Sequence, residues 1–337
     1  MPAAPQDTFF ALTPERVLDA VEVGGRRATG YAFALNSLEN RVYEVELEDG
    51  ERLVAKFYRP DRWSREAILD EHAFLAELLE DELPVVPPIE LSVGETLGTI
   101  ASEDGGIFYA CFPKVRGRPP EDLDEAQLHR LGRLIARLHT TGSRRAAPAR
   151  PRLTVEHYGE SSVRLLLDSG FIPDSLRPRY SDIARSVLDA CAAAFNEFPD
   201  LEWPRIHGDC HLGNLLWGQS GPFFLDFDDF LAGPAVQDLW LIAPGVDEEA
   251  HAQRLALVEG YEQMRDFDRR TLRLVEPLRS LRILRYAAWI AQRHRDPAFQ
   301  RAFPDFTEYN HWQREIRALE DQSLRLRPGT PSFQLGN

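Results

Sequence analysis

At 337 residues the chain is long enough for one large domain or two ordinary ones, each able to bury a core without disulfide staples. Apolar residues make up 43% and charged residues 28%, which excludes a wholly disordered chain, a collagen and a disulfide-rich miniprotein. The formal net charge of −15 argues against general nucleic-acid or anionic-membrane binding, because the far field repels phosphate; one phosphate in a local basic cleft remains possible. The three cysteines, Cys111, Cys191 and Cys210, are too dispersed for a metal or redox pair and suit a reducing cytosol, so a cytoplasmic location is expected. Met1 to Phe10 has neither the basic start nor the apolar core of a signal segment, and no run of about 18 apolar residues predicts a membrane span.

The first predicted element is a helix with Thr13 as N-cap and Pro14 at its first position, stopped by Gly24-Gly25. Three strand-like runs follow at 31–35, 42–47 and 52–57, the last two joined by a turn at Glu48-Asp49-Gly50. Ser64 is placed to cap a helix over 64–79 whose apolar stripe is Ile68, Leu75, Leu78 and Leu79. A short strand is expected at 107–112. Beyond Pro113 and Gly117 the pattern turns helical: 128–139, then an exposed-looking Arg-Ala-Pro stretch at 143–152, then helices filling 163–195. A compact β-rich patch at 206–227 interrupts them, and helices resume after Gly233-Pro234.

That patch holds the most informative residues: His207-Gly208-Asp209-Cys210-His211-Leu212-Gly213-Asn214, followed by Leu225-Asp226-Phe227-Asp228-Asp229. The apolar runs 215–217 and 223–225 read as a hairpin whose closure brings Asn214 and Asp226 to one mouth. An amide oxygen and a carboxylate there suit a hard cation such as Mg²⁺. Asp209, beside the metal, is placed to accept a proton from a hydroxyl attacking the terminal phosphate of ATP. Of the adjacent Asp228 and Asp229 at most one should face inward, and Asp228, sharing parity with Asp226, is the better candidate. Read alone, the segment could also be a turn with a solvated carboxylate, or His207, Cys210 and His211 could suggest zinc, although no third ligand lies at helical spacing.

The H-G-D-x-x-x-x-N pattern with a following Asp resembles the catalytic loop of the protein-kinase-like superfamily, in its aminoglycoside phosphotransferase and choline kinase branch. Together with Ser37-Leu38-Glu39-Asn40-Arg41-Val42-Tyr43 and Val54-Ala55-Lys56-Phe57-Tyr58-Arg59-Pro60, it resembles the bacterial stress response kinase A family from about Thr13 to Trp312. The resemblance implies a kinase of serine and threonine. It also implies that Glu71 pairs with Lys56, that residues 112–115 connect two lobes and contact adenine through backbone groups, and that Asp238 hydrogen-bonds the catalytic-loop backbone.

Lys56 shares a strand face with Val54, which suits an adenine base beside its α- and β-phosphates; the alternative is a surface lysine. Asp70 rivals Glu71 for the pairing role. Ser37, in a turn with no glycine, could contact phosphate through its hydroxyl, or the turn could be a plain polar one. The basic residues of 272–294, among them Arg279, Arg282 and Arg285, read as the solvated face of a core helix, with an anion-binding surface for substrate as the alternative.

The expected fold is α+β and two-lobed, protein-kinase-like: an antiparallel sheet lobe over 1–112, and a mainly helical lobe over 113–337 that holds the catalytic hairpin. The expected activity is ATP- and Mg²⁺-dependent phosphotransfer by a monomer, with Asp209 and Asp226 catalytic, Ser37, Lys56 and Glu71 on the nucleotide, and Asn214 and Asp226 on the metal. The acceptor is a protein serine or threonine by resemblance. A small alcohol or amino sugar, and a non-catalytic binding module, stay open. No nucleic acid and no membrane are expected as partners.

Overall fold

The computed structural model describes residues 9, 12–101, 106–219 and 221–327 of the chain. The N-terminal stretch examined for a signal segment lies outside these residues except for Phe9.

In chain order, α1 (Pro14–Val21) is capped by the Thr13 side chain, which accepts from the Arg16 amide. It leads into β1 (Ala28–Leu35), β2 (Arg41–Leu47) and β3 (Arg52–Phe57). The β2–β3 turn places Gly50 at φ +86°, a conformation glycine adopts without strain. Next is α2 (Arg65–Glu80), with the Ser64 hydroxyl accepting from Ala67 N at 3.2 Å. Then come β4 (Gly98–Ile100) and β5 (Ile107–Pro113), followed by α3 (Glu125–Gly142), α4 (Ser161–Asp168) and α5 (Arg177–Asn196). The β-rich patch consists of β6 (Arg205–Ile206), β7 (Leu215–Gly218), β8 (Gly221–Phe224) and β9 (Leu231–Ala232). The remaining helices are α6 (Val236–Ile242), α7 (Glu248–Glu262), α8 (Val275–Arg293), α9 (Pro297–Ala302) and α10 (Tyr309–Arg325). Among the described residues no helix is long and apolar enough to cross a membrane.

Two compact units result. The first comprises Met1–Glu121, Ala147–Arg150 and Leu212–Phe230. Its five-stranded sheet has the order β1-β2-β3-β5-β4, antiparallel throughout, and Lys56 of central β3 lies opposite Val42 and Ala110. One sheet face buries Val45, Leu53, Ala55 and Phe57 with Val17 and Val21 of α1. α2 turns Ile68, Glu71, His72, Phe74, Leu75 and Leu78 inward. Leu79, expected in that stripe, is half exposed near the end of the helix, because neighbouring side chains point about 100° apart on a helix and Leu78 takes the buried direction.

The β7–β8 hairpin also belongs to this unit. Its end joins the loop after α2 through Phe224 N donating to Pro84 O, and Trp217 exchanges backbone bonds with Arg118. The sequence reading cuts the chain once, at 112/113. The contacts instead keep 114–121 and the hairpin with the sheet, since Lys114 N still donates to Arg52 O and Arg118 N to Trp217 O.

The second unit comprises Asp122–Ala146, Pro151–His211 and Leu231–Asn337. Its core is Leu166, Tyr180, Val187 and Cys191 against Leu278, Leu281, Leu284, Trp312 and Ile316. α3 and α7 meet backbone to backbone: a Cβ on Gly132 would lie 2.1 Å from Leu257 O, and one on Gly260 would lie 2.2 Å from His129 O. At the far end of α3, Gly142 allows the same intimacy with Arg205 of β6, the strand that delivers His207. β6 pairs with β9, so both chain segments flanking residues 207–230 are fixed in this unit.

Candidate active site

Lys56 is the centre of a buried ionic cluster in the first unit. Its Nζ lies 2.9 Å from Asp226 Oδ1, 3.0 Å from Asp228 Oδ1 and 3.9 Å from Glu71 Oε1. Burial alone would push the ammonium down; the three carboxylates overcome that and hold it well above its ordinary value. Glu71 shows the opposite balance. Its desolvation exceeds the help from Lys56, and its carboxyl is pushed up to about 7.

Asp228 is buried and held three ways: Asn40 donates to it at 2.9 Å, Arg62 pairs with it, and Lys56 closes from the third side. Burial acts to raise its carboxyl, but Lys56 and Arg62 hold it well below the usual carboxylate range. Arg62 also reaches Asp229 at 2.6 Å. The backbone of this segment hangs on Arg150, which donates to the carbonyls of Phe227, Asp228 and Phe230 while stacked on Trp63 and Phe230.

Asp226 differs from its neighbours. It adopts the left-handed conformation, φ 57° and ψ 66°, and its side chain is 53% exposed whereas that of Asp228 is 4%. An L-residue there bears a cost of about 1–2 kcal/mol, which short polar side chains tolerate best. Asn214 ends the 3₁₀ turn before β7, and its carbonyl accepts Leu225 N at 2.9 Å, so Asn214 and Asp226 flank the base of one hairpin. The two side chains offer only oxygen acceptors to a metal, a donor set that fits Mg²⁺.

The loop that carries Asp209 in the second unit is built differently. Asp238 of α6 is fully buried and accepts His207 N and Gly208 N, both at 2.8 Å. His139 of α3 meets the same carboxylate at 3.0 Å and is itself braced by the Tyr261 hydroxyl at 3.1 Å. The Gln237 amide donates to Gly208 O, and Trp240 donates to Gln237. On this scaffold stands Asp209, with Arg282 Nη1 at 2.6 Å from Oδ1 and His211 Nε2 at 3.4 Å from Oδ2. Burial acts to raise its carboxyl; His211 and Arg282 reverse this and hold it well below the usual range.

The model of the phosphotransferase enzyme family matches residues 33–275. Stress response kinase A of Salmonella choleraesuis (strain SC-B67) is 39% identical over 328 residues, covering 97% of each chain. The chain belongs to the stress response kinase A family of phosphotransferases. A further relative, from Salmonella typhimurium (strain LT2), is named serine/threonine protein kinase RdoA and is likewise 39% identical over 97% of each chain. Among solved structures, amicoumacin kinase hAmiN in complex with AMP-PNP, Ca²⁺ and Ami superposes with a TM-score of 0.72 at 20% identity, covering 91% of this chain and 93% of that one. The protein is therefore a kinase with the α+β, protein-kinase-like fold expected from its sequence.

For this stress response kinase A relative, the structure brings Lys56, Glu71 and Asp226 together and sets Asn214 at the base of the same hairpin. Asp70, the rival to Glu71, instead accepts the Ala149 amide at 3.1 Å. Ser37 is half-buried in the bend between β1 and β2; among the described residues, the contacts that assemble the cluster run through its neighbours Glu39 and Asn40. Asp228 rather than Asp229 is the inward carboxylate, but not by strand parity. The segment is a 3₁₀ turn, and Asp226 and Asp228 face different surroundings.

Three residues escaped sequence reasoning. Arg150 lay in a stretch read as an exposed connection and is buried under the Asp226 segment. Arg282, on a helix face that reads as solvated, grips Asp209. Arg62 carried no local signal at all. Asn40 was within reach, since it sits inside the Ser37–Tyr43 motif that carried the resemblance.

Proposed function

We propose that the protein transfers the terminal phosphate of ATP, with Mg²⁺, to serine or threonine hydroxyls on protein. The observation that carries this reading is the convergence of Lys56, Glu71 and Asp226 on one another in a chain similar over 97% of its length to relatives named stress response kinase A. The serine/threonine acceptor is supported by the name of the Salmonella typhimurium relative.

In this mechanism Lys56, held extended by Glu71, exchanges its bond to Asp226 for the α- and β-phosphates of ATP. Asp226 and Asn214 would hold a Mg²⁺, which would supply charge neutralisation at the phosphate oxygens. The acceptor hydroxyl oxygen forms a bond to the γ-phosphorus as the bond from phosphorus to the ADP oxygen breaks, and the hydroxyl proton passes to Asp209. The Asp238 bracing keeps the Asp209 loop from moving as the proton is taken, which lowers the cost of reaching the in-line geometry.

A second reading, transfer to a small alcohol, is favoured by one feature. Asp226 and Asp238 are separated by a 3₁₀ turn, the two-residue strand β9 and the start of α6, which leaves no extended segment on which to lay a peptide. Labelled ATP offered with a basic protein, with the enzyme alone, and with a panel of amino sugars, choline and homoserine separates the two. Phosphoserine or phosphothreonine on protein supports the first; rapid transfer to one small alcohol with trace protein labelling replaces it with the second. A metal titration of Asp226→Asn checks the metal assignment. The Mg²⁺ concentration for half-maximal rate rises if Asp226 is a ligand, and an unchanged titration removes it.

A further inference from the structure

Arg282 has no role in the reading above, yet its geometry is that of a working part. It stands on α8, whose Leu278, Leu281, Leu284 and Ala288 are buried in the core of the second unit, so its backbone is fixed. Its partner Asp209 stands on a loop pinned at His207 N and Gly208 N by Asp238 and at Gly208 O by Gln237. An ion pair between two anchored backbones loses less side-chain entropy than an ordinary surface pair, which is commonly worth nothing measurable. Its 2.6 Å length is that of a charge-assisted bond.

The other arginines of the stretch are spent elsewhere. Arg279 bonds Glu276 and the carbonyls of Pro244 and Gly245, Arg285 lies over the Tyr158 ring, and Arg273 pairs with Glu197. Among the described residues, Arg282 is the arginine of this helix that reaches the catalytic loop.

We propose that Arg282 is a positioning residue for phosphotransfer: from α8 it fixes the Asp209 carboxylate through Oδ1, while His211 of the same loop reaches Oδ2, so that the orientation of the carboxylate is set before the acceptor hydroxyl arrives. The inference rests on the reading of Asp209 as the base. A carboxylate with one oxygen clamped has one free torsion fewer to settle when the hydroxyl arrives, which is the orientation effect that loosened sites lose. The clamp also keeps Asp209 charged and able to accept a proton at lower pH. Arg282 from α8 and the imidazole of His211 from its own loop face it.

The test compares Arg282→Gln, Arg282→Lys and Asp209→Asn by kcat, KM for ATP and the pH dependence of kcat, with one acceptor throughout. Asp209→Asn is expected to be nearly inactive. Arg282→Gln should lose roughly 10- to 100-fold in kcat with KM for ATP unchanged. Its acid limb should move to higher pH, because the carboxyl freed from the guanidinium is protonated more readily. Arg282→Lys keeps the charge but not the planar fork, so it should keep the acid limb of the parent and recover only part of kcat. Lowered kcat in both Arg282 variants with an unmoved acid limb overturns the proposal and leaves a packing role. Parental kcat and acid limb in Arg282→Gln, with Asp209→Asn inactive, overturns it while leaving the base in place. Near-normal turnover in Asp209→Asn removes the base, and this inference with it.

Discussion

The two groups of residues proposed to carry the chemistry are held by different physics. In the second unit, the loop carrying Asp209 is fixed by backbone amides donating to one buried aspartate, and that aspartate is backed by His139 and Tyr261. In the first unit, the Lys56 cluster is fixed by side-chain charges: three carboxylates about one ammonium, with Arg62 and Arg150 behind them. Backbone hydrogen bonds set a loop's shape and persist through changes of bound ligand. A balance of charges is redistributed whenever one member finds a new partner. Under the proposed mechanism the base is thus built on the rigid design, and the groups proposed for nucleotide and metal on the exchangeable one, which is what binding and releasing a charged substrate requires.

The comparison is broken most severely at Asp209. Asp209→Asn should lower phosphotransfer by roughly 10²–10⁴-fold, the range for losing a general base, while ATP binding is retained. Steady-state transfer from labelled ATP and a separate nucleotide-binding titration check both halves of the statement. Near-normal turnover would show that the rigid loop is scaffold only.

Asp238→Ala attacks the rigid design itself. It strands the amides of His207 and Gly208 and the ring of His139 in a fully buried place. A destabilisation of about 3–5 kcal/mol is expected, as when one partner of a buried polar pair is removed. Urea unfolding of parent and variant measures it, and a loss below about 1 kcal/mol would mean that water or a shifted side chain replaces Asp238.

Lys56→Met attacks the exchangeable design and should cost less stability than Asp238→Ala. Asp228 keeps Arg62 and Asn40, and Asp226 is half exposed to water. Activity should fall roughly 10- to 100-fold in kcat/KM for ATP, as expected for lost substrate alignment. If Lys56→Met unfolds as readily as Asp238→Ala, the cluster is structural rather than exchangeable.

A different contrast, between local and distant contacts, explains what the sequence discloses. Helix caps and the short hairpin are written locally: Ser64 three residues before Ala67, Thr13 three before Arg16, and Asn214 and Leu225 at the two ends of one short hairpin. Periodicity and caps find these because the interacting groups are neighbours in the chain. The charge cluster is assembled from Asn40, Arg62, Arg150 and Asp228, and the first and last of these are 188 positions apart. An arginine in a turn-rich stretch carries no mark of whether it will face water or a ring of carbonyls, and so Arg150 and Arg282 were read as surface. The pairing of Lys56 with Glu71 is implied by resemblance to known kinases rather than by spacing, whereas the approach of Asn214 to Asp226 is read from the hairpin between them.

The smallest expected effect sharpens the comparison by its sign. Glu71 is pushed up to about 7 by burial, against an ordinary value of 4.5 that an unfolded chain retains. Below about pH 4.5 both states carry the proton and the group contributes nothing to the pH slope. Between 4.5 and 7 the unfolded chain has released the proton while the folded one keeps it. The unfolded state then binds fewer protons, so the contribution of Glu71 to stability falls as pH rises, and it is constant above 7. Asp209 in the second unit has the opposite sign: its carboxyl is held low, so its contribution is present above the ordinary carboxylate range and is lost only as pH falls through its depressed value. Glu71→Gln keeps the shape of the side chain and removes the titration. Its stability relative to the parent should therefore improve steadily between pH 4.5 and 7 and then stay level, while its weaker hold on Lys56 lowers kcat/KM for ATP by a few-fold at most. Urea unfolding of the two proteins across that range decides the matter. Curves that run parallel throughout would mean that Lys56 outweighs the burial of Glu71, and that the first unit holds its charges as rigidly as the second holds its loop.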